Sequence, residues 1–386
     1  MTTSMTAIYG GTPLYDPTDT VVNDIINSKY STYVYWTLHV NSKGDITHNG
    51  SPLVTAGKYV GSTSWVTQLV KLKKAGIRVL FSVGSWPYPG PSKVPYTPWI
   101  FYYINHFLPT KSVTVGMDTF EVYTVPTSAD NNVLYSNFNT LREAFKYTDS
   151  SGNTAYALDG INFDNEDYYS SSLMTTFARM LYAIGYSQVT FCPYNNIDIW
   201  MDTLQYVANG NSSPIKGQTP TYADGTTPSS WTTKGLDTYA TGLDGFVTDF
   251  QLQCYSGGAG DYPANWINAI AALELTSDVP VYPGYLVNND QSSTPSCAAG
   301  SIVCPSGFES VFKYLATGYN SYGMNPNTGN PPPTPSPVSL NGGFVWNYDQ
   351  VSYCQNSPGT TTGCSETPNA NNYRSAMLKG LGLSTT

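Results

Sequence analysis

The chain contains the stretch Leu158-Asp159-Gly160-Ile161-Asn162-Phe163-Asp164-Asn165-Glu166. Its alternation predicts a β-strand on which Asn162, Asp164 and Glu166 share one face and the residues between them share the other. Two carboxyl groups two residues apart on a strand are close enough to share a proton, and this proximity drives their pKa values apart. The same residue types also occur at strand ends and turns, so the flanking sequence has to support a catalytic interpretation.

The flanking sequence alternates between strand and helix patterns. Strand composition, rich in β-branched, aromatic or continuous apolar residues, occurs at 6–11, 32–40, 77–84, 188–193, 245–255, 279–286 and 342–348. Apolar residues recur at helical spacing within 64–76, 135–145, 173–184, 266–273 and 308–315. With the stretch above as the fourth of eight strands, the pattern predicts an α/β fold, a (β/α)8 TIM barrel with long loops after its strands. Active sites of such barrels lie at the carboxyl ends of the strands, where Glu166 ends the fourth.

The connections between these elements are uneven in length. Residues 86–133 are aromatic and irregular in pattern, which predicts a long functional loop whose rings either form sugar platforms or pack the loop itself. The Thr-, Gly- and Ser-rich stretch between the fifth and sixth strands is also expected to be a loop. Three prolines at 331–333 break regular structure before the last strand. We expect one catalytic domain over residues 1–386.

The composition favours a neutral, ring-shaped ligand. Charged residues make up 11% of the chain and aromatic residues 14%, including 32 Tyr and 8 Trp. Tyr and Trp bury area through their faces and hydrogen-bond through their edges, which suits sugars. A net charge of -9 disfavours a nucleic acid partner, which needs clustered Lys and Arg. His39, His48 and His106 lack metal-ligand spacing, so no metal and no cofactor is expected.

The six cysteines form three groups: Cys297 with Cys304, Cys354 with Cys364, and Cys192 with Cys254 in apolar runs. The first two groups lie in Gly-, Ser- and Pro-rich loops, where two short local disulfides are expected, and such bridges favour export to an oxidising compartment. The third group is expected to be buried thiols. The sequence does not open with a cationic leader and apolar core, so we expect no signal peptide within it. No apolar run is long enough to span a bilayer.

The opening stretch resembles the signature Asp-Gly-x-Asp-x-Asp-x-Glu of glycoside hydrolase family 18, which contains chitinases and endo-β-N-acetylglucosaminidases. Three of its four acidic positions match, at Asp159, Asp164 and Glu166. Further segments are similar to the family's strand motifs in the same order: Ile8-Tyr9-Gly10, Phe81-Ser82-Val83-Gly84-Ser85-Trp86, Pro193, Gln253-Cys254-Tyr255 and Gly342-Gly343-Phe344-Val345-Trp346. The resemblance spans the whole barrel and implies a retaining hydrolase of β-1,4-linked N-acetylglucosamine polymers or oligomers.

The resemblance also implies a mechanism in which the substrate's own 2-acetamido oxygen attacks the anomeric carbon and gives an oxazolinium intermediate. Glu166 would act as general acid and then base, Asp164 would orient the acetamide N–H and stabilise its positive charge, and Tyr255 would hold the acetamido oxygen. Supporting roles are implied for Asp159, Asn162 and Ser82, and sugar contacts for Trp346, Tyr9, Trp86 and Gln253. For Asp159 we expect the role of a hydrogen-bonded carboxylate at a strand turn.

Three positions depart from the family pattern. Asn162 stands where the family has aspartate, and because an amide cannot exchange a proton in that way, the rate or pH optimum is expected to shift while the mechanism remains. Ser85 replaces a second glycine, which concerns the packing of the third strand. Ser256 follows the tyrosine where the family often has a polar side chain that helps to bind the sugar.

Two alternatives remain open beside a chitinase. Asp167, Tyr168 and Tyr169 continue the motif with an acidic and aromatic run that also resembles endo-β-N-acetylglucosaminidases, which cut the chitobiose core of N-glycans. An inactive, lectin-like barrel that binds sugar is the other alternative. The strand-3 serine and strand-8 tryptophan look more like chitinases. We therefore expect a secreted, monomeric, chitinase-like enzyme whose partner is an N-acetylglucosamine-containing oligo- or polysaccharide.

Overall fold

Strands and helices alternate along the chain. The computed structural model describes residues 4–11, 19–85, 100–128, 132–221, 233–255, 262–288, 297, 302–317, 337–356 and 364–385. The strands are β1 (Met5–Gly10), β2 (Thr32–Val40), β3 (Ile46–His48), β4 (Ser51–Thr55), β5 (Lys58–Tyr59), β6 (Arg78–Gly84), β7 (Thr110–Val115), β8 (Asp118–Tyr123), β9 (Lys146–Thr148), β10 (Thr154–Tyr156), β11 (Gly160–Asp164), β12 (Gln188–Phe191), β13 (Gly235–Leu236), β14 (Val247–Gln253), β15 (Val281–Leu286) and β16 (Gly342–Trp346). The helices are α1 (Thr20–Asn27), α2 (Thr63–Lys74), α3 (Ile100–Phe107), α4 (Val133–Ala144), α5 (Ser171–Ile184), α6 (Ile197–Asn209), α7 (Pro263–Ala271), α8 (Pro305–Thr317), α9 (Tyr348–Asn356) and α10 (Ala370–Gly380).

Eight parallel strands form a closed barrel in the order β1-β16-β15-β14-β12-β11-β6-β2, and β2 pairs with β1 to complete the ring. A helix lies between each barrel strand and the next, and α9 and α10 follow β16. This is the arrangement of a (β/α)8 barrel, so the fold predicted from the sequence is confirmed.

Strand β11 carries the alternation that the sequence predicts. Ile161 and Phe163 are buried against the outer helices, and the ring of Phe163 stacks on that of Phe177 in α5 with centroids 5.1 Å apart. On the opposite face, the side-chain amide of Asn162 donates to Oγ1 of Thr190 on the neighbouring strand β12 at 2.8 Å. The apolar face of β11 therefore anchors the strand, and its polar face is left for the barrel interior.

Helix α5 has clear signals at both ends. The Ser170 hydroxyl accepts a hydrogen bond from the backbone N–H of Leu173 at 3.3 Å, which satisfies one of the free donors of the first turn. Gly185 ends the helix with a φ of 100°, a conformation that glycine adopts without a Cβ clash. These caps fix the helix that follows the acidic motif.

The loop expected at 86–133 contains regular structure in its described part. Helix α3 follows from residue 100, and β7 and β8 form an antiparallel hairpin that pairs with β13 in a separate sheet. The expectation of an irregular segment is therefore wrong there. Phe101, one of the aromatic residues expected either to form a sugar platform or to pack the loop, is buried in the core. Trp86 and Trp99 lie outside the described residues.

The stretch between the fifth and sixth strands also contains a helix that we did not expect. Trp200, Leu204 and Val207 of α6 recur at helical spacing and are buried in the core. The Thr-, Gly- and Ser-rich composition belongs to the later part of the interval, and it obscured this short amphipathic segment. The proline run at 331–333, expected to break regular structure, and Ser256, named above as a departure from the family pattern, lie outside the described residues.

The disulfides join distant rather than neighbouring cysteines. Cys297 pairs with Cys354 and Cys304 pairs with Cys364, each with Cα atoms 5.4 Å apart. The expected local pairing is therefore wrong. Helices α8 and α10, which follow Cys304 and Cys364, pack against each other, so the two cysteine-containing segments lie side by side and bond across. Cys192 and Cys254 are buried thiols, as predicted.

Among the described residues, none of the helices combines the length and apolar character that crossing a bilayer requires.

We predict that proteolysis of the unreduced protein releases peptides joined through Cys297 and Cys354 and through Cys304 and Cys364, as identified by mass spectrometry before and after reduction. The bridges span 57 and 60 residues. Replacing both cysteines of one bridge by serine should lower the free energy of unfolding by about 2–4 kcal/mol, because the unfolded chain regains freedom. Peptides joining Cys297 to Cys304 would instead restore the local pairing.

Candidate active site

Several barrel strands end at one set of polar and aromatic side chains. Asp164, Gln253 and Trp346 are the last residues of β11, β14 and β16, and Glu166 follows Asp164 by two positions. These strands are parallel, so their carboxyl ends meet at the same end of the barrel. This is where (β/α)8 enzymes carry their active sites.

Asp164 and Glu166 form a hydrogen-bonded carboxyl pair. The side-chain amide of Gln253 bridges them, since its Nε2 donates to Oδ1 of Asp164 at 2.9 Å and to Oε1 of Glu166 at 3.0 Å. Burial raises the pKa of Asp164 to about 7. Burial, followed by the negative charge of Asp164, raises the pKa of Glu166 well above its usual value. Above the pKa of Asp164 and below that of Glu166 the pair therefore holds one proton, and that proton belongs on Glu166.

A tight turn holds Glu166 in place. The Asn165 side chain accepts hydrogen bonds from the backbone N–H groups of Asp167 and Tyr168 at 3.3 and 3.2 Å, and its amide donates to the carbonyl of Tyr168 at 2.9 Å. The buried carboxyl of Asp167 accepts from the backbone N–H groups of Phe101 and Tyr102 in the first turn of α3, both at 3.3 Å. The segment around Glu166 is thus tied to α3 on one side and to β11 on the other.

The backbone of Asp164 is fixed by close contact with β6. The N–H of Ser85 donates to the carbonyl of Asp164 at 2.6 Å. A Cβ on Gly84 would lie 1.8 Å from that same carbonyl oxygen, so only glycine fits at the end of β6. Ser85 itself has a φ of 105°, a conformation that favours glycine. Ser85 stands where the family has a second glycine. At the site it therefore holds a backbone conformation that glycine adopts more easily.

Tyr9 and Asn162 lie deeper in the barrel. The Tyr9 hydroxyl lies 2.5 Å from Oε1 of Gln251 and 3.4 Å from Oδ1 of Asn162. Tyr9 is completely buried, and its ring packs against that of Trp346 with centroids 5.5 Å apart. In this structure Tyr9 supports the tryptophan from below rather than presenting an open surface.

Two half-buried aromatic residues lie near the carboxyl pair, Tyr255 just after β14 and Trp346 at the end of β16. The rings of Tyr255 and Trp346 have centroids 6.1 Å apart, and Tyr255 packs among residues of the barrel interior. Burial raises the pKa of the Tyr255 hydroxyl, and the negative charge of Asp164 raises it further, so the hydroxyl remains protonated as a hydrogen-bond donor. Tyr255 therefore points inward, as a role on the substrate requires.

The remaining predicted residues lie elsewhere or outside the described chain. Asp159 precedes β11, where its carboxylate forms an ion pair with Lys73 and accepts from the N–H of Val79 at 2.8 Å. It is a hydrogen-bonded turn carboxylate at the amino end of the strand, opposite to the carboxyl pair. Ser82 is buried in β6 and pairs in register with Asn162. Trp86 is outside the described residues.

Sequence reasoning missed Trp36, which contacts the carboxyl pair directly. Its indole Nε1 donates to Oδ2 of Asp164 at 2.9 Å, and its ring lies edge-on to Trp346 with centroids 4.9 Å apart. The predicted strand included this residue, and alternation from Val34, which faces the barrel interior, places Trp36 on the inner face. The period of β2 groups Trp36 with Val34, but both faces of the strand are apolar, so the sequence does not show which of them points inward.

The donor set offers no metal-binding arrangement in the part of the chain that the structure describes, where no group of three or more His, Cys, Asp and Glu side chains converges. The site is built from hydrogen-bonded carboxyls, amides and aromatic rings. Such a site can transfer a proton and can hold a neutral ring by stacking and hydrogen bonds.

Comparison with known proteins gives distant structural similarity only. No protein-family model matches the sequence, and no curated protein matches it. A GH18 chitinase from Pseudoalteromonas aurantia is similar at 10% identity and a TM-score of 0.46, over 91% of this chain and 96% of that one. The catalytic domain of a hyperthermophilic chitinase from Pyrococcus furiosus has 9% identity and a TM-score of 0.47, over 99% and 97%. A tamarind chitinase-like lectin has 10% identity and a TM-score of 0.38, over 89% and 94%. The barrel assignment therefore stands on the strand order described above.

We predict that Asp164→Asn lowers the pKa of Glu166, because the substitution removes the negative charge that opposes ionisation of the buried glutamic acid. The shift should be about one to two units. A carboxyl-carbon NMR titration of the unliganded protein measures it.

Asp159→Asn provides the matched control, since it removes a carboxylate at the other end of the same strand. It should leave the titration of Glu166 unchanged. An unchanged Glu166 pKa in Asp164→Asn would show that the two carboxyls do not interact.

Proposed function

We propose that this chain is a retaining glycoside hydrolase of the family 18 type. It cleaves β-1,4-linked N-acetylglucosamine polymers or oligomers by substrate-assisted catalysis, as a chitinase does. The observation that carries the proposal is the hydrogen-bonded pair of Asp164 and Glu166, bridged by Gln253 at the carboxyl ends of the barrel strands.

The spacing of the two carboxyls argues against the usual two-carboxylate scheme. A retaining enzyme with a protein nucleophile has carboxyl groups about 5–5.5 Å apart on either side of the sugar, and an inverting enzyme has them farther apart. Asp164 and Glu166 are instead in direct hydrogen-bond contact, so they act from one side of the sugar. The nucleophile then has to come from the substrate, and an N-acetylated sugar supplies it in its 2-acetamido oxygen.

In the proposed reaction Glu166 first donates a proton and later takes one up again. Glu166 donates its proton to the glycosidic oxygen while the acetamido oxygen forms a bond to the anomeric carbon and the bond to the leaving group breaks. The ionised Asp164 accepts a hydrogen bond from the acetamide N–H and stabilises the positive charge of the oxazolinium ion. Water then attacks the anomeric carbon, Glu166 takes its proton, and the acetamido oxygen leaves. Two displacements give retention of configuration.

The aromatic residues support this pose of the sugar. Trp346 is half-buried and rests on Tyr9, so its exposed part offers a flat floor for a pyranose ring. The Tyr255 hydroxyl is kept protonated and faces the same site, which suits a donor to the acetamido oxygen.

We also propose that the chain acts as a single, monomeric catalytic domain and is secreted. The two disulfides support export, because such bonds persist in oxidising compartments. The endo-β-N-acetylglucosaminidase alternative rests on the run after the motif. Asp167, Tyr168 and Tyr169 are buried, with Asp167 bound to the start of α3, so this run adds no open contact surface in favour of an N-glycan.

We predict that the protein releases short oligomers from chitin oligosaccharides, and that Glu166→Gln reduces release by at least about 10²-fold because the proton donor is lost. Sugar binding should stay close to that of the wild type, because glutamine keeps the size and a hydrogen-bonding group. Chromatography of the products and calorimetric titration with oligomers measure the two quantities.

Glu366→Gln, on an exposed residue, is the matched control and should keep full activity. Deglycosylation of a high-mannose glycoprotein with chitin oligomers left intact would favour the endo-β-N-acetylglucosaminidase. Binding of oligomers with no turnover of either substrate would favour a lectin.

We further predict that Asn162→Asp moves the acidic limb of the kcat/KM profile to higher pH. The new carboxylate lies on the same wall of β11 as Asp164, so its charge raises the pKa of Asp164, which has to be ionised for catalysis. Asn153→Asp adds the same charge at an exposed site and should leave the profile in place. A shift to lower pH would contradict this role of Asn162.

A further inference from the structure

Asp164 is held from two sides by neutral N–H donors. Its Oδ2 accepts from Nε1 of Trp36 and its Oδ1 accepts from Nε2 of Gln253, both at 2.9 Å. Trp36 lies on β2 and Gln253 on β14. In the barrel order β14-β12-β11-β6-β2, each donor strand is two places from β11, one on either side. Alternate strands of a barrel contribute side chains to the same interior layer, which explains how both donors reach one carboxyl.

The two donors differ in what else they contact. Gln253 Nε2 also donates to Glu166 and to the backbone carbonyl of Cys192, at 3.0 and 3.1 Å. The Trp36 indole N–H contacts Asp164. Gln253 therefore acts on both carboxyls, whereas Trp36 acts on one, and substitutions at the two positions separate the effects.

Two further side chains, Glu166 and Cys192, also lower the pKa of Asp164 through hydrogen bonds. The titratable groups that interact with it are Glu166, Tyr9, Cys192, Tyr169 and Tyr255. Burial raises the pKa values of the tyrosines and of the thiol, so these groups are neutral near pH 7. On its own strand, the next inward-facing residue is the amide of Asn162. The facing elements β2 and β6 present Trp36 and Gly84.

We propose that Trp36 and Gln253 are positioning residues that fix Asp164 in its ionised form beside the protonated Glu166. We call the two N–H donors of Trp36 and Gln253 the clamp. The catalytic consequence of this inference rests on the proposed function, whereas the effect of the clamp on the ionisation of Asp164 does not. Glu166 also hydrogen-bonds to Asp164, and this bond is released when Glu166 gives its proton to the glycosidic oxygen, so Asp164 is then able to accept the acetamide N–H of a substrate. A fixed anion at that point needs no reorganisation when the positive charge develops.

The clamp is tested without substrate. Trp36→Phe removes the N–H donor and keeps an aromatic ring against Trp346, so the first ionisation of the carboxyl pair should shift to higher pH by about one unit. Carboxyl-carbon NMR of the unliganded protein follows that ionisation. Trp346→Phe makes the same ring change in the same aromatic cluster without touching Asp164, and should leave the ionisation where it is. An unshifted ionisation in Trp36→Phe overturns the proposal.

Gln253→Met is the second variant. It tests the proposal in the case that Trp36→Phe does not fold. It removes the other donor, so the ionisation of Asp164 should again move to higher pH, and the pKa of Glu166 should rise with it because Glu166 also loses a donor. Thermal unfolding of each variant identifies those that are folded. A folded Gln253→Met with an unchanged titration also overturns the proposal.

The catalytic consequence is a separate measurement. On chitin oligomers, Trp36→Phe should move the acidic limb of kcat/KM to higher pH and lower kcat about tenfold at neutral pH with little change in KM. Trp346→Phe should mainly raise KM and leave the acidic limb unmoved. If the wild-type protein turns over neither substrate type, the proposed function fails, while the titration still decides the clamp. If Trp36→Phe shifts the NMR titration of the carboxyl pair but leaves the acidic limb of kcat/KM of an active enzyme in place, the catalytic role of the clamp is overturned.

Discussion

A single proton shared by two buried carboxyls is the constraint on which this site depends. A buried carboxylate loses the solvation of water, and two of them in contact repel each other, so the pair keeps one proton near neutral pH. Hydrogen-bond donors on Asp164 decide which oxygen carries the remaining charge. The amide of Gln253 donates to both carboxyls, whereas the indole of Trp36 donates to Asp164, so Asp164 is the better anion and Glu166 keeps the proton.

The interior of the barrel separates this charge from a second ionic site. At the amino ends of the strands, Arg78 pairs with Asp249 at 2.5 Å. Gln251 donates to Asp249 at 3.0 Å, and the Tyr9 hydroxyl lies at 2.5 Å from Gln251. Asp249, the charged residue of β14, thus lies in the lower layer, and neutral amide and phenol groups fill the layer between it and Asp164. A cation higher in the barrel would lower the pKa of Asp164 and, through it, the pKa of Glu166.

The sequence could predict those parts of the molecule that depend on period and order. The alternation in β11 identified the polar wall of Asn162 and Asp164, and the order of strands and helices identified the barrel. Trp36 was missed because its strand is apolar on both faces, so its composition does not say which residues point inward. Placing Tyr9 beneath Trp346 rather than in the open cleft needed the coordinates, since both are aromatic residues near strand ends.

Contacts between distant segments could not be read from spacing. The cysteines at 297 and 304 are close in sequence, but each bonds to a cysteine about 60 residues away; the packing of α8 against α10 accounts for the pair of Cys304 and Cys364, and the partner of Cys297 lies in α9. Spacing in the sequence also does not predict the contacts of the turn at 165–168. Asp167 belongs to the acidic and aromatic run after the motif, and only the position of α3 reveals that its carboxyl accepts hydrogen bonds from two backbone N–H groups.

The charge count of the site explains why Asn162 is compatible with an active pair. An aspartate at that position adds a third buried carboxyl below Asp164, and a second proton or a new donor is then needed to keep the site near one net charge. The amide of Asn162 instead satisfies its partners with neutral groups, donating to Thr190 and lying within hydrogen-bond distance of the Tyr9 hydroxyl. Because the two N–H donors already fix Asp164 from either side of β11, no proton on residue 162 is needed to hold it. The neutral side chain of Asn162 and the N–H donors of Trp36 and Gln253 therefore together allow a single negative charge to be buried on Asp164.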